Sequence, residues 1–129
     1  MRSHFVFERI ALIGIGLINS SIARFVKKYK LAHEVVIYSR RQSTLDKAME
    51  LGFAERAETN IRSAVLEADL IILGVPVGAN LKLVQEMAPT LKVGAIVTDV
   101  GAVKAAGIRD IKPHLPSGVH VVPAHPVAG

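Results

Sequence analysis

The sequence has 129 residues, a formal net charge of +5 and a hydrophobic fraction of 50%. This length suits one compact domain, and the high apolar fraction excludes an intrinsically disordered chain. The absence of cysteine excludes a disulfide scaffold and a thiolate zinc site. No apolar run approaches the ~18 residues of a membrane helix, and the N-terminus lacks the apolar stretch of a signal peptide. We therefore expect a cytoplasmic domain without a metal site or a membrane partner.

Short apolar runs rich in Ile and Val recur along the chain, with helix-periodic segments between them. The runs lie at residues 10–13, 35–38, 70–75, 95–97 and 119–122. Continuous apolar runs are typical of strands that are buried on both faces of a parallel sheet. Strands that alternate with helices form βαβ units. The pattern predicts an α/β fold of the Rossmann type, with a doubly wound, mainly parallel sheet of six strands over residues 1–129.

Three helices are predicted between these runs. The first presents one apolar stripe, formed by Ile18, Ile22, Phe25, Val26 and Tyr29. The next covers about residues 44–51, with Gly52 as its stop signal. Another carries a stripe of Leu83, Val84, Met87 and Leu91 and ends near Pro89 and Gly94.

The basic residues of the first predicted helix could form a solvated helix face or a nucleic-acid-binding surface. They are Arg24, Lys27, Lys28 and Lys30. Because no aromatic residues are interleaved for base stacking, we interpret them as a solvated helix face and expect no nucleic-acid partner. The surplus of positive charge also favours an anionic small molecule.

A glycine-rich turn follows the first predicted strand. In the dinucleotide-binding fingerprint, a residue such as Gly14 permits the tight turn, and one such as Gly16 lets a pyrophosphate approach the backbone. The helix N-terminus, at Leu17 and Ile18, then offers N–H groups to the phosphates. Asn19 replaces the third glycine, so we expect a slightly wider helix–strand separation and retained binding. The motif predicts a dinucleotide-binding domain, and a plain strand–turn–helix without a ligand is the alternative.

The end of the second predicted strand bears on which dinucleotide is bound. An NAD site usually has an Asp or Glu there to accept the ribose hydroxyls, but this chain has Ser39, Arg40 and Arg41. The donors of an arginine match the oxygens of a 2′-phosphate. We therefore predict that NADP is preferred over NAD. In the alternative, Arg40 stacks on adenine without discriminating between the two.

Three later turns carry small residues and one polar group where a doubly wound sheet presents its ligand crevice. They contain Val75 and Pro76, then Gly101 and Lys104, then His125. The segments 14–23, 74–77, 98–104 and 125–129 resemble the prephenate/arogenate dehydrogenase family, which includes the cyclohexadienyl dehydrogenases. The sequence T-D-V-G-x-V-K followed by H-P-V-A-G is the specific part of the resemblance.

The resemblance implies an NAD(P)-dependent oxidative decarboxylation of prephenate or arogenate, in tyrosine biosynthesis, that yields 4-hydroxyphenylpyruvate or tyrosine. It places the catalytic histidine at His125, and a neutral imidazole suits proton acceptance from the ring hydroxyl. It also implies cofactor contacts at Val75, Pro76 and Gly101. For Lys104 two interpretations remain open: it contacts the cofactor or the substrate, or it is a surface lysine.

The resemblance also raises points on which this sequence departs from the family or stops short of it. The family commonly has Ser where Ala102 stands, so either water replaces that hydroxyl, its role is dispensable here, or activity is weakened. Four further histidines are assigned no role; they are His4, His33, His114 and His120. A helical C-terminal domain that completes the substrate site and forms a homodimer is expected beyond residue 129. The alternatives are an NADP-linked dehydrogenase of the β-hydroxyacid type and a nucleotide-sensing domain without catalysis.

Overall fold

The computed structural model describes residues 6–74, 77–100 and 111–122, with only the backbone described at Leu17 and at 77–80. The described strands form one six-stranded sheet in the order β3-β2-β1-β4-β5-β6. They are β1 (Phe7–Ile13), β2 (Ala32–Tyr38), β3 (Arg56–Glu58), β4 (Leu70–Leu73), β5 (Ile96–Asp99) and β6 (His120–Val121). Every neighbouring pair is parallel, which confirms the predicted doubly wound Rossmann-type sheet.

The helices connect successive strands. They are α1 (Leu17–Tyr29), α2 (Gln42–Glu50), α3 (Ile61–Val65) and α4 (Val77–Met87), with 3₁₀ turns at Ala88–Thr90 and Lys112–His114. Since all strands run in the same direction, their carboxyl ends share one edge of the sheet, and the helices after β1 and β2 begin at that edge. No helix in the described ranges is long and apolar enough to cross a membrane.

Two apolar layers cover the two faces of the sheet. Alternate residues of the central strands, such as Ile13 and Leu73, pack with α3 and α4 on one face. Their neighbours in sequence, such as Leu12 and Ile72, pack with α1 and α2 on the other. Burial on both faces explains why the sequences of these strands are continuous apolar runs and do not alternate between apolar and polar residues.

The structure corrects several predicted boundaries. Helix α2 begins at Gln42 and ends at Glu50, earlier than the predicted 44–51, and Gly52 follows it with a φ of +78°. Strand β4 ends at Leu73, before the predicted residue 75, and β6 is only two residues long. Strand β5 continues through Asp99, so Thr98 and Asp99 lie in the strand and not in the turn after it. Polar residues can remain in a strand because the parallel ladder uses only backbone groups.

The predicted stripe of α1 is buried only in part: Val26 is buried and Ile22 packs against the core, but its other three members are exposed. Ile18, Phe25 and Tyr29 are 53%, 55% and 54% exposed. Among the side chains of this helix that the structure describes, those of Asn19, Ala23 and Val26 are buried. The side of α1 that faces the sheet is therefore rotated toward Asn19 and Ala23 relative to the predicted stripe. By contrast, the predicted stripe of α4 and its following turn is buried throughout.

The basic residues of α1 are exposed, as the helix-face interpretation predicts. Two of them contact the segment after α2. Lys27 Nζ donates to the Gly52 carbonyl at 3.0 Å, and the Arg24 guanidinium lies 5.2 Å from the centroid of the Phe53 ring. These contacts give the cations a packing role between α1 and the chain that leads to β3.

Asp69 organises the amino edge of the sheet, opposite to the carboxyl ends of the strands. Its carboxylate accepts hydrogen bonds from the backbone N–H groups of Glu8 (2.8 Å) and Arg9 (3.1 Å) and pairs with Lys92. Burial alone would raise the pKa of Asp69, but the hydrogen bond from Lys92, the two backbone donors and the charge of Lys92 lower it overall. The ionised carboxylate is therefore the form that the fold stabilises.

Candidate dinucleotide-binding site

The glycine turn follows β1 and is hydrogen-bonded at the ends of the two strands next to β1, which are β2 and β4. The Gly14 N–H donates to the carbonyl of Tyr38 at the end of β2 (2.9 Å), and the Gly74 N–H donates to the carbonyl of Ile13 (2.8 Å). Gly14 has a φ of +87°, which side-chain-bearing residues rarely adopt. The turn is thus fixed to the ends of β2 and β4, and its first glycine is required by the backbone conformation.

Gly16 leaves open space beside the start of α1. A Cβ added at Gly16 would meet no atom within 4 Å, so the fold itself does not require a glycine there. Gly16 is the N-cap of α1, but no side chain caps this end and the first turn contains no acidic residue. The N–H groups of the first turn, including those of Leu17 and Ile18, are therefore left to an external acceptor. An uncapped helix start next to open space fits a bound pyrophosphate.

Asn19 is buried directly beneath this turn. Asn19 is 1% exposed, and its Nδ2 donates a hydrogen bond to the Gly14 carbonyl at 2.6 Å. A second, longer contact joins Nδ2 to the Ile13 carbonyl at 3.4 Å. The structure thereby shows how the residue that replaces the third glycine is accommodated: its amide bonds to the turn. Sequence reasoning noted the replacement but did not predict this bond.

The β2–α2 turn brings the predicted phosphate-discriminating residues to the same edge. The Ser39 hydroxyl accepts a hydrogen bond from the Arg41 N–H at 3.2 Å, and Arg41 is the N-cap of α2 without a side-chain cap of its own. Arg40 and Arg41 are both exposed, and neither forms an ion pair with a residue in the described ranges. The turn therefore combines a helix start, one hydroxyl and two free guanidinium groups.

Tyr38 lies buried immediately before these residues. Burial raises the pKa of the Tyr38 hydroxyl, the nearby Glu86 carboxylate raises it further, and the Arg40 guanidinium opposes both effects. The phenol therefore stays uncharged near neutral pH and does not neutralise Arg40. The segment 38–45 also contains no Asp or Glu, so the charge at this turn is positive.

A small cavity of about 210 Å³ lies beside the glycine turn, between α1 and α2. Ile15 and Ser20 line it on the α1 side, and Thr44 and Lys47 line it on the α2 side. The sequence analysis did not single out Thr44 or Lys47. Their i, i+3 spacing on α2 places them on one helix face, which is the signal that could have found them.

The remaining predicted site residues follow β4, β5 and β6. Strand β5 ends beside β4, where Asp99 is in register with Leu73, and the Val122 N–H donates to the carbonyl of Val97 at 2.9 Å. The structure thus places the starts of all three later segments at the edge that holds the glycine turn. The predicted residues themselves, Val75, Pro76, Gly101, Lys104 and His125, lie outside the described ranges, as does Ala102.

Comparisons with known proteins identify the family. Residues 22–129 match the family model described as prephenate dehydrogenase, nucleotide-binding domain. The chain belongs to the prephenate dehydrogenase family. This confirms the resemblance of the sequence motifs and the nucleotide-binding character of the domain, and it favours this family over the β-hydroxyacid type.

Individual relatives agree with this membership. A cyclohexadienyl dehydrogenase of Zymomonas mobilis is 41% identical over 124 residues, which cover 96% of this chain and 42% of the relative. A crystal structure of Synechocystis arogenate dehydrogenase has a TM-score of 0.74 and 30% identity, over 82% of this chain and 37% of that one.

The fold of the chain also matches a more distant structure. Prephenate dehydrogenase from A. aeolicus, solved in complex with hydroxyphenyl propionate and NAD⁺, has a TM-score of 0.81 and 24% identity. The match covers 95% of this chain and 42% of the A. aeolicus chain. The present chain thus spans less than half the length of these family members.

Proposed function

We propose that this chain is the nucleotide-binding domain of an enzyme that oxidatively decarboxylates prephenate or arogenate in tyrosine biosynthesis. The observation that carries the proposal is the uncapped start of α1 beside Gly14 and Gly16, in a chain that belongs to the prephenate dehydrogenase family. Leu17 and Ile18 supply backbone donors for the pyrophosphate. The nicotinamide of the bound dinucleotide provides the hydride acceptor.

NADP is the preferred dinucleotide in this proposal, with NAD as the weaker ligand. The support is the β2–α2 turn, where Ser39, Arg40 and Arg41 meet the uncapped start of α2 and residues 38–45 contain no Asp or Glu. A ribose with free hydroxyls would find no carboxylate acceptor among residues 38–45, whereas a 2′-phosphate would find charge-assisted donors.

His125 acts as the general base in this proposal. As a neutral imidazole it accepts the proton of the ring hydroxyl while hydride leaves the same ring carbon and the ring carboxylate departs as carbon dioxide. The formation of an aromatic ring favours the reaction. Val75, Pro76 and Gly101 contact the dinucleotide, and Lys104 contacts the dinucleotide or the substrate carboxylate.

The complete substrate site needs more chain than is present here. The relatives are more than twice as long as the part they share with this chain. We propose that a helical C-terminal domain covers the substrate, excludes water and joins two subunits in a homodimer, and that the enzyme works in the cytoplasm.

Two measurements test the proposed function. Calorimetric titration of this chain should detect binding of NADP, with weaker binding of NAD. The protein expressed from its full gene should reduce NADP only when prephenate or arogenate is added. Binding without turnover in the full protein would support the nucleotide-sensing alternative, and absence of binding would refute the proposal.

A further inference from the structure

The position of the third fingerprint glycine holds a side chain that the rest of the fold accommodates. Asn19 is 1% exposed, and its amide nitrogen donates to the carbonyl of Gly14, the residue of the turn with positive φ. Within the described part of the chain, Asn19 Oδ1 is buried without a hydrogen-bond partner, so the amide is held through Nδ2. The bond to Gly14 is short, at 2.6 Å, and it joins the first turn of α1 to the glycine turn.

Gly74 provides the space that this side chain needs. A Cβ added at Gly74 would lie 2.4 Å from Asn19 Nδ2 and 2.9 Å from its Cγ, distances that real Cβ atoms do not adopt. Gly74 does not have a positive φ, so the backbone conformation does not demand glycine there. A Cβ at position 74 would therefore have to displace the side chain of Asn19.

The two residues also bracket the same strand end. The Gly74 N–H donates to the carbonyl of Ile13, and Asn19 Nδ2 contacts that carbonyl and the next one. The conformation of the turn is thus constrained from β4 on one side and from α1 on the other. A loop that is held in its binding conformation loses less conformational entropy when a ligand binds.

We propose that Asn19 and Gly74 form a complementary pair that positions the glycine turn for the pyrophosphate half of the dinucleotide. The proposal rests on the proposed nucleotide-binding function. Asn19 is a positioning residue here, because it acts through the Gly14 carbonyl and does not itself contact the ligand. Its effect is therefore equal for NAD and NADP, and absent for a ligand without a pyrophosphate.

The first test is the substitution Asn19→Ala, which removes the amide and keeps the Cβ. Loss of one buried hydrogen bond predicts about three- to tenfold weaker binding of both NADP and NAD. Adenosine 2′-monophosphate, which lacks the pyrophosphate, should bind as it does to the wild type. Ser21→Ala, at an exposed position of the same helix, is the matched control and should change none of the three affinities.

The second test is a double-mutant cycle between positions 19 and 74. Gly74→Ala alone should weaken dinucleotide binding and lower the midpoint of thermal unfolding, because its Cβ meets the Asn19 amide. In Asn19→Ala/Gly74→Ala the obstructing atoms are gone, so the double variant should unfold at a higher temperature and bind more tightly than Gly74→Ala alone.

Calorimetric titration and thermal unfolding by circular dichroism measure these quantities. Additive losses in the double variant would overturn the proposal, as would an unchanged dinucleotide affinity in Asn19→Ala. An equal loss for adenosine 2′-monophosphate would show a general structural defect instead. Failure of the wild-type chain to bind any dinucleotide would refute the proposed function, whereas the variant results concern only the pair.

Discussion

Replacing Arg40 tests how this domain discriminates between the two dinucleotides. Arg40 is exposed, ends the turn after β2 and has no ion-pair partner in the described ranges, so Arg40→Ala should leave the fold intact. A charge-assisted hydrogen bond contributes about 1.5–3 kcal/mol, and each 1.4 kcal/mol is a tenfold change in affinity. Because the site is open to solvent, we take the lower half of that range. The affinity for NADP should fall about 12- to 40-fold, and that for NAD less than about twofold.

The assay is calorimetric titration of the wild type and Arg40→Ala with each dinucleotide at two salt concentrations. Higher salt should weaken NADP binding more than NAD binding, and the difference should shrink in the variant. Lys28→Ala is the matched control. It removes the same charge from the last turn of α1, at the end of that helix away from the glycine turn. Equal losses for NADP and NAD would refute the reasoning and show that Arg40 stacks on adenine without discriminating.

Three further predictions concern Gly16, Asp69 and His125. Gly16→Val should leave the chain folded, because a Cβ at position 16 meets no protein atom within 4 Å, yet weaken the binding of both dinucleotides more than about tenfold in a titration; retained affinity would show that no ligand occupies that space. Asp69→Asn should lower the free energy of unfolding in urea by about 1–3 kcal/mol at pH 7. Since folding lowers the pKa of Asp69, its contribution is present above the pKa of the unfolded chain and disappears as pH falls through the folded value, so the variant and the wild type should converge in acid; a gap that persisted there would contradict this. His125→Asn in the full-length enzyme should lower kcat by about 10²–10⁴-fold with little change in KM for NADP, and it should abolish a rise in rate with pH near neutrality; a variant that kept the rate and the inflection would remove His125 from the mechanism.

The central strands and the glycine turn could be predicted from sequence for a physical reason. Strand segments buried on both faces are apolar at successive positions, so the last four residues of β1 and of β2, and the whole of β4, stand out as runs. The glycine turn is visible because Gly14 needs a positive φ that few other residues tolerate. Both signals are local, and local signals survive in a single sequence.

The edge elements were not located because their sequences carry no such signal. Strand β3 is Arg56-Ala57-Glu58, an edge strand with every residue half-buried, and α3 is only five residues long. Six strands were expected, but no apolar run marks the third. Such short elements depend on pairing with β2 and on packing against the sheet, which are long-range contacts.

The side of α1 that faces the sheet could also not be predicted fully from the sequence. Hydrophobic periodicity predicted a stripe of which Val26 is buried, but it did not indicate the buried positions Asn19 and Ala23, which are polar and small. The role of Asn19 depends on the empty Cβ position of Gly74, which is 55 residues away in sequence. No pattern within one helix can reveal that complementarity.

The most direct test of the proposed function is substrate-dependent reduction of NADP by the protein from the full gene. The absorbance of reduced nicotinamide should increase after addition of prephenate or arogenate, with release of one carbon dioxide for each NADPH formed. The rate with NADP should exceed the rate with NAD at equal concentration. A protein that binds NADP but reduces none with either substrate would contradict the account.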